Sequence, residues 1–238
     1  MKSKLLLVII ISVAINCVFP VSSNSQVLIS LLLGDKLNTG EIEFGLTGGY
    51  NRSSLIGLEN STGLNNFNLG FYFDFLLKSN WYLYTGVLVK SRVGASGIPV
   101  YSLEDPDLDS SFVDGEVIRK LNYFYVPVMI KYKFENNLYV NLGFQAGLRS
   151  KAIDEFRNTI YKKDDLVFKN DVGEQYKRID AGLSAGIGYK FPNGPGVNLG
   201  VRYYYGLVNI NKEGDDKTFN SSLNIFAEIP IGVNKKEK

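Results

Sequence analysis

Ten charged side chains share one face of an alternating β-pattern, and they are the residues of this sequence best placed for chemistry. Five fall toward one end of the predicted strands, namely Glu43, Asp74, Lys131, Arg202 and Glu228. Five fall toward the other end, namely Lys90, Arg92, Arg149, Arg178 and Asp180. Charges inside a protein require partners of opposite sign. The pattern therefore predicts a network of ion pairs, or, because the second group holds four bases and one acid, a narrow anion-attracting pore.

The absence of histidine restricts the chemistry further. The chain has 0 His and 1 Cys, so Ser-His-Asp hydrolysis, Cys-His chemistry and His-ligated metal sites are excluded. Carboxylates that hydrolyse glycosides need a substrate cleft, which a filled interior does not offer. We therefore expect no catalysis and no cofactor.

An acidic segment, 105–116, offers one metal-binding alternative. Its acids stand at relative positions 1, 3, 5 and 12 of a calcium loop, but Ser110 stands where glycine is expected and Pro106 is awkward. A solvated acidic loop is the preferred interpretation.

Period-two alternation is the dominant signal along the chain. It recurs in eight segments of about 9–13 residues, close to the length that crosses a bilayer as a strand; these are 42–50, 67–76, 81–93, 124–134, 138–148, 179–191, 197–205 and 223–231. Short turns alternate with long connections at 52–66, 94–120, 150–176 and 208–220. This is typical of an all-β, eight-stranded antiparallel up-and-down transmembrane β-barrel with both termini periplasmic.

Residue size indicates which face of the predicted barrel contacts lipid and which faces the lumen. Phe, Tyr, Ile and Leu crowd the apolar phase, whereas the opposite phase is rich in glycine, and the chain has 24 Gly. A soluble barrel would need room inside for the large side chains, which eight strands do not enclose. We therefore expect the apolar phase to face lipid. Pro127 interrupts one strand, and we expect a local bulge there.

The N-terminus predicts export. Lys2, Lys4, an apolar run and small residues indicate a signal peptide over 1–25. A lipoprotein anchor at Cys17 is the alternative. A periplasmic segment at 26–40, either a short helix or the end of a longer signal, then precedes a barrel over 41–233 and a charged tail over 234–238. Without Lys2 and Lys4 the bases and acids balance, so nucleic acid is not an expected partner.

Three runs carry a family resemblance: YFYVPVMIKYKF at 123–134, RIDAG at 178–182 leading into GIGYKF at 186–191, and RYYYGL at 202–207. They resemble the PorT-like outer-membrane β-barrel family of Bacteroidota. The resemblance implies an eight-stranded outer-membrane barrel without established catalytic residues, in a family whose name-giving member takes part in protein secretion.

We therefore expect a structural or partner-binding protein of the Gram-negative outer membrane, attached to secretion or envelope machinery through its long loops. Its expected partners are outer-membrane lipid, and lipopolysaccharide or envelope proteins at 94–120 and 150–176. A narrow porin-like diffusion channel is the alternative.

Overall fold

Nine β-strands form from the alternating segments. The structure, a computed structural model, describes residues 38, 40–161, 164–193, 196–212, 214 and 216–231. The strands are β1 Ile42–Ile56, β2 Thr62–Lys78, β3 Trp81–Ile98, β4 Glu116–Lys133, β5 Leu138–Thr159, β6 Asp164–Asp171, β7 Ile179–Lys190, β8 Asn198–Gly206 and β9 Phe219–Pro230. A short helix, α1 (Pro106–Phe112), and a 3₁₀ turn (Gly173–Gln175) complete the described elements.

Eight of these strands close into a ring. The order is β1-β2-β3-β4-β5-β7-β8-β9, every neighbouring pair is antiparallel, and β9 returns to β1 with Gly45 opposite Pro230. The predicted all-β, eight-stranded antiparallel barrel is therefore confirmed. The ninth strand, β6, pairs with β5 alone among the described residues.

The two faces of the ring differ as expected. Large apolar side chains project from its outer face, for example Leu142, which is 63% exposed. The inner face carries buried tyrosines. Glycines stand opposite them, since a Cβ at Gly188 would collide with the Tyr139 ring and one at Gly147 with the Tyr125 ring. Large and small residues thus interlock between neighbouring strands on the inner face.

The strands on one side of the ring are longer than predicted. Much of 94–120 and 150–176, expected as loops, continues β3, β4 and β5 and adds β6. The pairing Arg119 with Asp154 and Phe156 with Phe168 belongs to this extension. We call residues 92–98, 116–122, 151–159 and 164–171 the upper sheet, and the end of the barrel that carries it the upper end.

Two bulges lie where the ring meets the upper sheet. On β3, Val89 is the extra residue, because Leu69 pairs with Lys90 and the adjacent Gly70 pairs with Leu88. On β5, Ser150 is the extra residue opposite β4. Each bulge moves the following side chains to the other face of the strand. The bulge expected at Pro127 is absent, because β4 and β5 keep one register from Tyr123 to Lys133.

Several expectations concern residues outside this description. The signal peptide over 1–25, Cys17, most of 26–40 and the tail over 234–238 lie outside the described residues. Within the described part of the chain, no helix has the length and apolar character needed to cross a bilayer.

Candidate functional site

A network of buried charges occupies the lower half of the lumen. Lys131 Nζ donates to Asp74 Oδ2 at 2.8 Å and lies 3.7 Å from Glu228 Oε2. Arg202 Nη2 approaches Glu228 Oε1 at 3.4 Å from the other side. The Asp74 and Lys131 side chains are 0% exposed. Two bases thus face two acids at the centre of this network.

Aromatic rings hold the two cations of this network. Lys131 Nζ lies 4.5 Å from the centroid of the Tyr139 ring and 4.7 Å from that of Tyr84. The Arg202 guanidinium carbon lies 4.5 Å from the centroid of the Tyr84 ring, and Arg202 Nη1 donates to the Tyr84 hydroxyl at 3.2 Å. Such contacts stabilise a desolvated cation from the directions that no carboxylate covers. The rings also fill the lumen around the charges.

Two further lysines, missed by the sequence analysis, join this half. Lys133 Nζ lies 3.1 Å from Asp74 Oδ2, and Lys190 forms an ion pair with Glu43. Tyr72 donates to the other oxygen of Glu43 at 3.0 Å. Both lysines continue the inward phase of their strands, so the signal was present in the alternation. Glu43, one of the ten predicted lumen charges, has Lys190 as its ion-pair partner.

The upper half of the lumen holds fewer charges than expected. Asp180 accepts hydrogen bonds from the Tyr125 hydroxyl at 2.7 Å and from Asn220 at 2.8 Å. Arg149 donates to backbone carbonyls, including that of Gly173 at 2.7 Å. These two buried groups are one acid and one base.

Three of the predicted lumen bases lie elsewhere. Lys90 pairs with the outward-facing Leu69 and is exposed, because the bulge at Val89 reverses the expected phase. Arg92 follows on the same outer face. Arg178 precedes β7 and is exposed, since the strand begins only at Ile179. The excess of bases that favoured an anion-attracting pore is therefore not present in the lumen.

A hydrophobic cluster covers the upper mouth. Its buried members come from the inner face of the upper sheet, from α1 and from the segments around β7 and β9; they include Val93, Ala95, Ile98, Phe112, Val117, Leu121, Ala152, Phe156, Val172, Tyr176 and Ile210. We call this the upper cluster. It continues downward into the lumen tyrosines Tyr123, Tyr125 and Tyr204. Apolar packing therefore extends from the mouth to the charged network.

One ion pair is built into the upper cluster. Arg119 donates to both oxygens of Asp154, through Nε at 2.8 Å and Nη2 at 2.5 Å, and Tyr101 donates to Asp154 Oδ2 at 2.9 Å. Burial and the Asp154 charge raise the pKa of Tyr101 to about 12, so its hydroxyl remains a donor. Although burial acts to lower the pKa of Arg119, the hydrogen bonds to Asp154 raise it above its ordinary value.

A second carboxylate lies on the other face of the upper sheet. Glu155 pairs with Lys120 Nζ at 2.7 Å and with Arg157. Burial acts to raise the pKa of Glu155, but the hydrogen bonds and charges of Lys120 and Arg157 hold it below its ordinary range. The sequence analysis placed both carboxylates in loops and so missed their pairing.

The acidic segment 105–116 adopts a geometry unlike a calcium loop. Asp105 caps α1 by accepting from the backbone N–H groups of Asp107 and Leu108, and Asp109 accepts from that of Leu103 at 2.7 Å. The hydrogen bonds from the Leu103 N–H and from the Ser102 hydroxyl hold the pKa of Asp109 below its ordinary value. Among the described residues no group of three or more acids or thiols could hold a metal ion. The calcium alternative is not supported.

Comparisons with known proteins point to one class. A family model described as the outer membrane protein beta-barrel domain matches residues 24–212. Among solved structures, the chain is similar to Ail, the attachment invasion locus protein of Yersinia pestis, in complex with the heparin analogue sucrose octasulfate, with 15% identity, a TM-score of 0.40 and coverage of 80% of this chain and 99% of that one.

Two further solved structures are similar at the same TM-score of 0.40. Neisserial surface protein A has 12% identity and coverage of 79% of this chain and 96% of that one. OprG from Pseudomonas aeruginosa has 12% identity and coverage of 80% and 93%. No match to a curated protein was found.

Proposed function

The chain belongs to the outer membrane protein beta-barrel domain family, and from this premise we propose that it is a closed barrel that presents its upper sheet outside the cell to bind a protein partner. Membership makes it a β-barrel of the bacterial outer membrane, in contact with lipid. The family of small barrels is generally non-enzymatic. The partner, the closure and the lack of catalysis in this chain are our proposals.

The packing of side chains in the lumen is the main observation that supports a closed barrel. The side chains of the ion-pair network around Lys131 and Arg202 are buried, and so are those of the upper cluster. A cavity of about 20 Å³ lies beside Arg202, Thr47 and Gln145, which is room for about one water molecule. This small volume supports a lumen that is filled by side chains beside Arg202.

The edge of the upper sheet supports the partner-binding role. Apolar side chains project into solvent there, with Val113 72% and Tyr161 83% exposed and Val167 on β6 also exposed. Beside them β6 has β5 as its one strand neighbour among the described residues. An exposed apolar patch next to an open strand edge is a surface that proteins use to add a strand or an apolar side chain.

The proposal also includes the orientation of the barrel in the membrane and its export by a signal peptide. The turns β2–β3 and β4–β5 are short and lie at the end away from the upper sheet. Short turns face the periplasm in this class of barrel, which supports periplasmic termini and an extracellular upper sheet. A signal peptide over 1–25, PorT-like membership and attachment to secretion or envelope machinery stay proposals from the sequence.

Affinity purification from native outer membranes tests the partner-binding role. We expect a stoichiometric partner with the wild type, lost in the variant Val113→Ser/Tyr161→Ser/Val167→Ser. The control Lys212→Ser/Lys217→Ser changes exposed residues outside the upper sheet and retains the partner. Purification of the wild type without a partner, or equal recovery from both variants, would contradict the proposal.

A further inference from the structure

A groove of about 390 Å³ opens at the junction of the ring and the upper sheet. Residues from four strands line it: Asn66, Phe67, Val89, Lys90, Ser91, Arg92, Asn122, Tyr123 and Ser150. We call it the belt groove. Both β-bulges lie in its wall, since Val89 and Ser150 are the extra residues of β3 and β5. Bulges often occur where a strand must re-aim a side chain toward a site.

Three cations converge on the belt groove. Lys90 and Arg92 line it, and Arg92, Asn122 and Lys151 occupy one lateral row of paired residues across β3, β4 and β5. Neighbouring strands are about 5 Å apart, so the row places Lys151 about 10 Å from Arg92. Lys90 and Lys151 are exposed and Arg92 is half-buried.

No carboxylate neutralises these cations within the described part of the chain. Ion pairs with acids are formed there by Arg119, Lys120, Lys131, Lys133, Arg157, Lys190 and Arg202, and by none of the three groove cations. Arg92 donates through Nε to Asn122 Oδ1 at 2.8 Å, which fixes the guanidinium plane over the groove. Ser150 is exposed and adds a polar group to the wall, where its hydroxyl donates to the Asn122 carbonyl at 3.3 Å. The groove therefore combines positive charge with hydrogen-bonding groups, the chemistry that binds phosphate.

The position of the groove along the barrel favours a lipid over a soluble anion as the ligand. Lys90 pairs with Leu69, and Phe67, 52% exposed, forms part of the groove itself. Both apolar residues belong to the outer face of the ring, so the cations stand at the upper edge of the lipid-facing band. A long lysine side chain there reaches toward the headgroup level. One molecule with an acyl chain beside Leu69 and a phosphate beside Lys90 satisfies both surfaces.

We propose that the belt groove binds the phosphorylated headgroup of an outer-leaflet lipid. Basic clusters at the membrane surface recognise such headgroups through charge, and the apolar rim supplies the chain contact. The site lies on the barrel wall, away from Val113 and Tyr161, so it does not depend on the partner-binding role proposed above.

Native mass spectrometry of the purified barrel tests the site with bisphosphorylated lipid A as the probe. We expect one molecule to bind first, and the variant Lys90→Gln/Arg92→Gln/Lys151→Gln to bind it about tenfold or more weakly. The control Lys169→Gln/Lys212→Gln/Lys217→Gln removes the same charge from exposed positions elsewhere and binds as the wild type does. Heat-modifiable migration on gels verifies that each variant is folded.

Two further arms identify the ligand. Lipid A stripped of both phosphates should lose the first binding event, and inorganic phosphate at about 10 mM should compete poorly because it lacks the acyl contact. Equal weakening in the control, undiminished binding of the stripped lipid, or full displacement by inorganic phosphate would each overturn the proposal. If the triple variant does not fold, Lys90→Gln alone gives the same test, because Lys90 is exposed, with Lys90→Arg expected to retain binding.

Discussion

Arg202 illustrates how buried charge is tolerated in the lumen. It is held by Glu228 at 3.4 Å and by the Tyr84 ring, and Glu228 is shared with Lys131. Removing one partner of a buried pair leaves an uncompensated charge, which costs about 3–5 kcal/mol. We expect Arg202→Met to destabilise the barrel by this order, measured by urea unfolding in lipid vesicles.

The double variant separates charge from packing. Arg202→Met/Glu228→Gln removes both charges, so we expect it to recover part of the lost stability. Arg178→Met, at an exposed position, is the control and should be near neutral. A double variant less stable than Arg202→Met would show that the pair does not behave as a coupled unit.

Glu155 makes the stability of the upper sheet depend on pH in the acidic range. Its pKa is below the ordinary glutamate value in the folded state because of Lys120 and Arg157, although burial opposes this. The stability it contributes is therefore fully present above the unfolded pKa, about 4.3, and is lost as the pH falls through the lower folded pKa.

Pepsin digestion between about pH 5 and pH 2 measures this effect. We expect cleavage of the wild-type upper sheet to increase below about pH 4.3, and Glu155→Gln to flatten that dependence. Glu174→Gln, at an exposed position, should follow the wild type. A Glu155→Gln profile as steep as that of the wild type would assign the acid sensitivity to other groups.

Among the elements, the upper sheet has a core of its own. Phe156 on β5 is fully buried and packs edge-on against Tyr101, Phe112 and Phe168. Truncating such a ring costs about 3–5 kcal/mol. We expect Phe156→Ala to open the upper sheet to added protease in vesicles while the membrane-embedded ring resists. Protection equal to that of the wild type would mean that this cluster does not hold the upper sheet closed.

Substitutions on the outer face of the ring test whether that face contacts lipid. Leu142 lies in the middle of the exposed apolar face of β5, and Leu148 lies near its upper edge. Arginine on the lipid face costs about 2–4 kcal/mol at the midplane and about 0–1 kcal/mol at the interface. We expect Leu142→Arg to lower the free energy of unfolding more than Leu148→Arg does. Equal losses would place the midplane elsewhere.

Alternation predicted the ring well because each of its strands has one face toward lipid and the other toward the lumen. The phase that brings Asp74 and Lys131 together follows from counting by two, and the same count would have found Lys133 and Lys190. The count assigns Lys90 and Arg92 to the wrong face, because Val89 is an extra residue in β3. No feature of the local sequence indicates this bulge. The upper sheet escaped prediction for another reason: charged residues such as Glu155 and Arg157 are frequent in its sequence, which therefore resembles that of a loop.

At the scale of the whole molecule, the inner and outer faces of the barrel differ in how their side chains are partnered. Charges inside form ion pairs or, at Asp180 and Arg149, hydrogen bonds to uncharged groups; rings and glycines interlock, and the upper cluster covers the mouth. Exposed features lie outside: the apolar side chains of Val113 and Tyr161, and the cations of the belt groove. This distribution is the basis for proposing that the protein acts through its outer surfaces.

Single-channel recording in planar bilayers tests this account most directly. We expect wild-type protein, inserted and folded as judged by heat-modifiable migration, to give no steady conductance in about 1 M KCl, because the side chains of an eight-stranded ring fill its lumen. A general porin in the same membrane provides the positive control. A steady, sizeable conductance from the wild type would contradict the closed lumen and favour the porin-like channel instead.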